Sequence, residues 1–274
     1  MTALLDRRLP SRPIAVARIV LGSAALLRAV VGAPLLLSLG ESQAFRVPRL
    51  AWFVATERWT IALLTAWLVS ALMFGLGWRH WWSGGALTVT LGAVVALDQQ
   101  TFSNHLYLLF LAVLLMTLAE SSAAWSVDAW RRGRANSVPL WPVRLLQAQV
   151  SILLLWSVIG KLRSDFLSGR QLAAQVGQGL VSIPDGLRTP GVMMAVAGGT
   201  LVLEAFVALA LWSQRLRPVA LTAATAFHVS ILLLMEPADQ LLVFALIMAS
   251  AYLTFLVDPI PTLPQQTALV EVTG

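Results

Sequence analysis

Lys161 is the single lysine among 19 basic side chains, and it lies near the end of an otherwise apolar stretch, VRLLQAQVSILLLWSVIGKL, over residues 143–162. A charged side chain in a lipid-embedded helix is costly, so each one found there is a candidate for function. Six more stand in apolar surroundings: Arg18, Arg28, Asp98, His105, Glu204 and His228. An amine stripped of water can lose its charge and act as a base, and a nearby imidazole can exchange a proton. Residues 147, 154 and 161 share one helix face, with 144, 151 and 158 beside it. The stripe Arg144, Gln147, Ser151, Lys161 is therefore expected to face protein rather than lipid. Two readings of Lys161 exclude each other. Either it is a shielded neutral amine, or it reaches the outer surface and pairs with Asp165, four residues on.

The other candidates carry paired readings too. His105 follows Ser103 and Asn104, one of which is expected to cap a helix. It is then either an interfacial histidine or a hydrogen-bond partner for a ligand. Glu204 and His228 fall mid-span and are expected to pair, or Glu204 to pair with Arg28, holding the bundle together. Arg18 can snorkel to the inner surface.

These residues need helices long enough to hold them in a bilayer, about 20 apolar residues each. Eight stretches qualify: 14–37, 60–77, 84–98, 104–119, 143–162, 191–212, 217–235 and 240–257. Backbone groups in lipid must be satisfied internally, so all are expected to be helical. The third and fourth are short and form a tight hairpin. The fold class is thus all-α: a polytopic membrane helical bundle of about eight transmembrane helices over residues 1–257, with 258–274 a disordered tail.

Eight spans put both termini on one side. With the N-terminus inside, the inner segments hold Arg7, Arg8, Arg12, Arg79, Arg131, Arg132, Arg134, Arg144, Arg215 and Arg217. The outer ones hold Arg46, Arg49, Arg58, Arg163, Arg170 and Arg188. The excess favours N-in, C-in in a plasma membrane. The first span is too long for a signal peptide, and no clear small-residue cleavage site follows it. The inner loop 120–142, with Trp125, Trp130 and Trp141, is expected to lie along the membrane, and GRQLAAQVGQGLVSIP to form a short outer interfacial helix.

Composition supports this reading and excludes others. Hydrophobic residues are 58% and charged residues 12% of the 274, against about 25% charged in soluble domains. Mean hydropathy is +0.79. With Cys 0, disulfide scaffolds, cysteine nucleophiles and cysteine zinc sites fall away. A net charge of +6 and a pI of about 11.1 suggest nucleic acid. The arginines lie between apolar runs, though, so the partner is the lipid bilayer. No Walker loop, Rossmann glycine pattern, HExxH or nucleophile elbow occurs, and three scattered histidines predict no metal.

Two segments carry a resemblance. Residues 103–130 read SNHLYLLFLAVLLMTLAESSAAWSVDAW, and 141–169 read WPVRLLQAQVSILLLWSVIGKLRSDFLSG. The pattern NH-x-Y-L, WSVD, LLQ-x-Q and GKL-x-x-D-F-L-x-G resembles the vitamin K-dependent γ-carboxylase family and its bacterial relatives, the horizontally transferred transmembrane (HTTM) domain proteins. The likeness extends in layout over residues 14–257 and is strongest over 103–169. It implies a membrane domain that binds a reduced, vitamin K hydroquinone-like quinone, with oxygen and carbon dioxide as co-substrates. It implies Lys161 as the base and His105 as its assistant. The resemblance sets Asn104 beside His105 at the quinone, and from their placement Tyr107, Gln147 and Trp156 are expected to line it as well. Arg28, Glu204 and His228, as charges inside the spans, are expected to form an intramembrane polar network. The activity implied is a lyase-type carboxylation of glutamate in an exported peptide or protein at the outer face. Only residues 258–274 follow the last expected span, so a substrate-gripping domain is expected either to be missing or to be supplied by a separate soluble partner. The alternative is a non-catalytic maturation factor for a small secreted peptide. A transporter is disfavoured, since no broken helices recur in two halves.

Overall fold

A computed structural model describes residues 7–39 and 56–260. Arg46 and Arg49 and the tail beyond 260 lie outside the described residues. Apolar runs have become helices, and local chemistry sets their ends. Helix α1 spans Ser11–Ser38, α2 Glu57–Leu76, α3 His80–Leu97 and α4 Asn104–Leu118. A short α5 follows at Val127–Arg132, then α6 at Leu140–Lys161, α7 at Ser164–Leu167 and α8 at Arg170–Gly177. The last three are α9 at Pro190–Ala210, α10 at Arg217–Leu234 and α11 at Ala238–Leu253. The fold is an all-α bundle, as expected from composition and period.

Among the described residues, six helices are long and apolar enough to cross a membrane: α1, α2, α6, α9, α10 and α11 with its 3-10 extension to Leu256. Helix α4 is apolar but shorter, and α3 opens on the polar turn His80–Ser83.

Contacts identify the two ends. At one, Arg8–Pro10 (β1) pairs antiparallel with Ser137–Pro139 (β2), setting Leu9 opposite Val138. This ribbon was not expected from the apolar pattern. The Ile260 amide donates to the Arg8 carbonyl at 2.9 Å, so the start of the tail is tied down there. At the same end Arg217 meets Asp258 at 3.1 Å. At the other end, α7 and α8 cap the exit of α6, and Val181 bridges Met235. The expected helix of this segment is α8, which stops at Gly177, short of Pro184.

Helix α1 is central, packed by α2 on one side and α11 on another. Its buried Ala17, Ala24, Ala25 and Ala29 let neighbouring backbones approach, as small residues do in membranes. Large apolar side chains such as Val89, Trp156, Val202 and Leu233 stay exposed on the outside of the bundle, where lipid rather than water solvates them.

Ser103 is the cap of α4: its Oγ accepts from the Leu106 amide at 3.1 Å. Ser103→Ala is expected to cost about 1 kcal/mol, read as a lower thermal midpoint in micelles, and Ser103→Asp to cost little. Equal loss in both variants would mean that the hydroxyl does not hold this helix start.

Candidate functional site

Helix α6 ends at Lys161, and the chain turns at Leu162 (ψ 52°) before α7 begins. This break decides Lys161's partner. Asp165 would lie over Lys161 only if α6 continued for another turn. It instead belongs to α7 and pairs with Arg170 at 2.5 Å. Lys161 Nζ donates to Glu204 Oε1 of α9 at 2.5 Å. Ser157, one turn earlier on α6, donates to the same oxygen at 3.3 Å. The ring of Phe166 lies 5.8 Å from the ammonium. The lysine side chain is 26% exposed and the glutamate side chain 7%. Both sequence readings of Lys161 are thereby corrected: it is neither an isolated amine nor paired with Asp165, but one half of an ion pair joining α6 to α9.

Glu204 therefore engages neither His228 nor Arg28. Its second oxygen, Oε2, is buried with no hydrogen-bond partner among the described residues. His228 is buried on α10, with Nε2 3.4 Å from the Tyr252 hydroxyl of α11. Tyr252 lies within electrostatic range of Glu204. Arg28 instead senses Asp239 and His105.

His105 stacks on Phe244 at 4.3 Å between centroids, and His228 meets the same ring edge-on at 5.5 Å. Because α4 is short, its first turn lies level with the middle of α11 rather than at the surface. A column His105–Phe244–His228–Tyr252 thus crosses α4, α11 and α10 toward the Lys161–Glu204 pair.

Other expected residues lie apart. Gln147 is fourteen residues before Lys161, about 21 Å down the helix. It receives Arg144 Nη1 at 2.7 Å and donates to the Thr254 carbonyl at 2.8 Å. Ser151 donates to the Ala208 carbonyl at 3.1 Å and accepts from Trp212 Nε1 at 2.8 Å. The polar stripe of α6 does face the bundle, but its inner part fastens helices together. Trp156 is 70% exposed on the outside of α6. Asn104 is exposed, and Tyr107 stacks on Phe110 at 6.2 Å, away from the column.

Arg18 does not snorkel. It is fully buried and donates to the carbonyls of Ser121 at 2.7 Å, Trp125 at 2.6 Å, Ala124 at 3.3 Å and Gly75 at 3.4 Å. Asp98 makes a turn at the end of α3, accepting from the Gln100 amide at 2.9 Å. Sequence reasoning passed over Ser157, Tyr252 and His80. The first sits on Lys161's own face, and Tyr252 is one of only two tyrosines. His80 bonds the Thr117 carbonyl at 3.0 Å.

A bundle of long apolar helices around a few internally paired charges defines a multi-pass membrane protein. The family model of the HTTM domain matches residues 7–256, and the chain belongs to that family. No solved structure matches it.

Proposed function

We propose that this HTTM-family protein is a quinone-dependent, carboxylase-type enzyme acting on glutamate of an exported peptide or protein. The observation that carries the reading is the Lys161–Glu204 pair, whose buried Oε2 has room in its hydrogen-bonding for one donor. A hydroxyl on an aromatic ring is such a donor, and the packed rings of His105, Phe244 and His228 form an aromatic wall of the kind a further ring stacks on. Such a donor and such a wall support a reduced quinone as the ligand. In this scheme Glu204 accepts the hydroxyl proton and becomes neutral, and the Lys161 ammonium balances the charge left on the ring oxygen, so the pair replaces a lone lysine as the base. Ser157 holds the carboxylate in place, and the apolar helices exclude water. A reduced quinone bound there supplies, with oxygen, a base strong enough to take a γ-proton from glutamate, and carbon dioxide then adds to the carbanion. Ten arginines at the ribbon end support an N-in, C-in orientation in the plasma membrane through eight crossings, with Lys161 toward the outer face.

Purified protein in lipid, given reduced vitamin K, oxygen, labelled bicarbonate and a glutamate peptide, is expected to yield labelled peptide. Lys161→Ala is expected to reduce that yield at least about 100-fold, the scale of losing a positioned acid–base group. Absence of both carboxylated peptide and quinone epoxide overturns the reading.

A second reading rests on the same pair: both charges are matched internally, as in a structural bridge. The protein would then be a non-catalytic maturation partner for a small secreted peptide, and peptide maturation in cells would survive the paired swap Lys161→Met with Glu204→Leu.

A further inference from the structure

Helices α1 and α2 cross where neither has a side chain. A Cβ on Gly22 would stand 2.6 Å from the Gly75 Cα. Side chains splay on either side of so close a crossing and leave a furrow of about 490 Å³. Ile19, Ser23 and Leu26 wall it from α1, Leu72 and Leu76 from α2, and Trp130 stands at one end. Its two flanking hydroxyls are already used: Ser23 donates to the Ile19 carbonyl at 3.1 Å, and Ser126 donates to the Ser122 carbonyl at 2.5 Å. The furrow therefore suits an apolar ligand, and its size is that of a ligand site (about 300–1,000 Å³).

The charges at its mouth narrow the choice. Arg12 precedes Ile19 by seven residues and so continues the furrow-facing row of α1, about 10 Å nearer the ribbon end. On α5, Val127 and Trp130 line the furrow, and Arg131, four residues after Val127, lies on Val127's side of the helix. The start of α1 is stitched to the chain beyond α5, with Ser11 donating to the Ala135 carbonyl at 2.7 Å. The two arginines thus flank one opening. Both are exposed, and neither is ion-paired among the described residues. Trp130, 85% exposed between them, is the side chain expected at headgroup depth.

We propose that the furrow seats one acyl chain of an anionic phospholipid from the leaflet at the ribbon end, with its phosphate held by Arg12 and Arg131. The chain lies against glycine backbone and leucine side chains, and the two guanidiniums match a phosphate in geometry and sign. The site lies on the α1–α2 side of the bundle, at the end opposite Lys161, and does not depend on what that lysine does.

The test uses the full chain in nanodiscs of equimolar phosphatidylglycerol and phosphatidylcholine with identical acyl chains. Native mass spectrometry of the released protein is expected to show phosphatidylglycerol retained over phosphatidylcholine on the order of tenfold, the scale of two arginines at a headgroup. Arg12→Gln with Arg131→Gln should bring the two lipids level, and Ser23→Trp, which fills the furrow from an exposed position, should remove both. Phosphatidylglycerol carrying a photoreactive acyl chain should label residues 19–26 and 72–76 of the unaltered protein, which needs no variant to fold. Equal retention of the two lipids by the unaltered protein overturns the proposal. So does labelling spread over all lipid-facing helices, or a dimer that buries the furrow in place of lipid.

Discussion

Glu204→Leu is expected to lower the stability of the bundle by about 3 kcal/mol, the scale of breaking a buried ion pair by removing one partner. The cost comes less from the lost attraction than from Lys161, left without its carboxylate among apolar helices. The two groups bond at 2.5 Å, and Ser157 adds a hydrogen bond to the same oxygen. Lys161→Met alone strands a carboxylate that can protonate, so its cost should be smaller. The double change, Lys161→Met with Glu204→Leu, should return stability to within about 1 kcal/mol of the starting protein, because matched apolar side chains often replace a buried pair without loss. Unfolding in mixed micelles measures all three. Equal losses for the glutamate variant and the double variant would show that the two side chains are not coupled. Carboxylation adds the second readout: a catalytic pair leaves the double variant folded and inactive.

Arg18 should be as sensitive. Its guanidinium serves four carbonyls from two segments, the end of α2 and the turn 121–125. Gly77 closes the same knot: its φ of 63° suits glycine, and a Cβ there would press on the guanidinium at 3.0 Å. Arg18→Leu leaves those carbonyls buried and unsatisfied, and a loss of about 3 kcal/mol or more is expected. Arg18→Lys should recover little, since one ammonium cannot reach the set that a planar fork spans. Hydrogen exchange at residues 119–126 should quicken in both variants. A lysine variant as stable as the original would mean that charge alone, without the fork geometry, holds the turn.

In both cases the charge is legible in the chain and its partner is not. Arg18, Lys161 and Glu204 stood out at once, because an ionisable group in an apolar run is visible in one dimension. Their partners were not. Asp165 was the natural mate by spacing, yet the helix ends at Lys161 and the carboxylate turns to Arg170. Glu204 has His228 or Arg28 as its expected mate, since none of them is cheap alone in a span. The true pairing depends on how far α6 and α9 slide along each other, which apolar periodicity leaves open. Gln147 shows the same limit: its burial follows from the stripe, but its bond to the Thr254 carbonyl does not. The ribbon of residues 8–10 with 137–139 was invisible because three-residue strands leave almost no pattern.

Composition and hydropathy by themselves determined that this chain is a multi-pass helical bundle, since so much apolar surface can be solvated only by lipid and backbone in lipid can only be helical. They also determined which few charges must be sheltered inside it. Which charge meets which, how deep His105 sits, and that α1 and α2 part around a furrow were decided by tertiary structure. Those facts depend on the rotation and sliding of helices past one another, and side-chain contacts more than forty residues apart set that register.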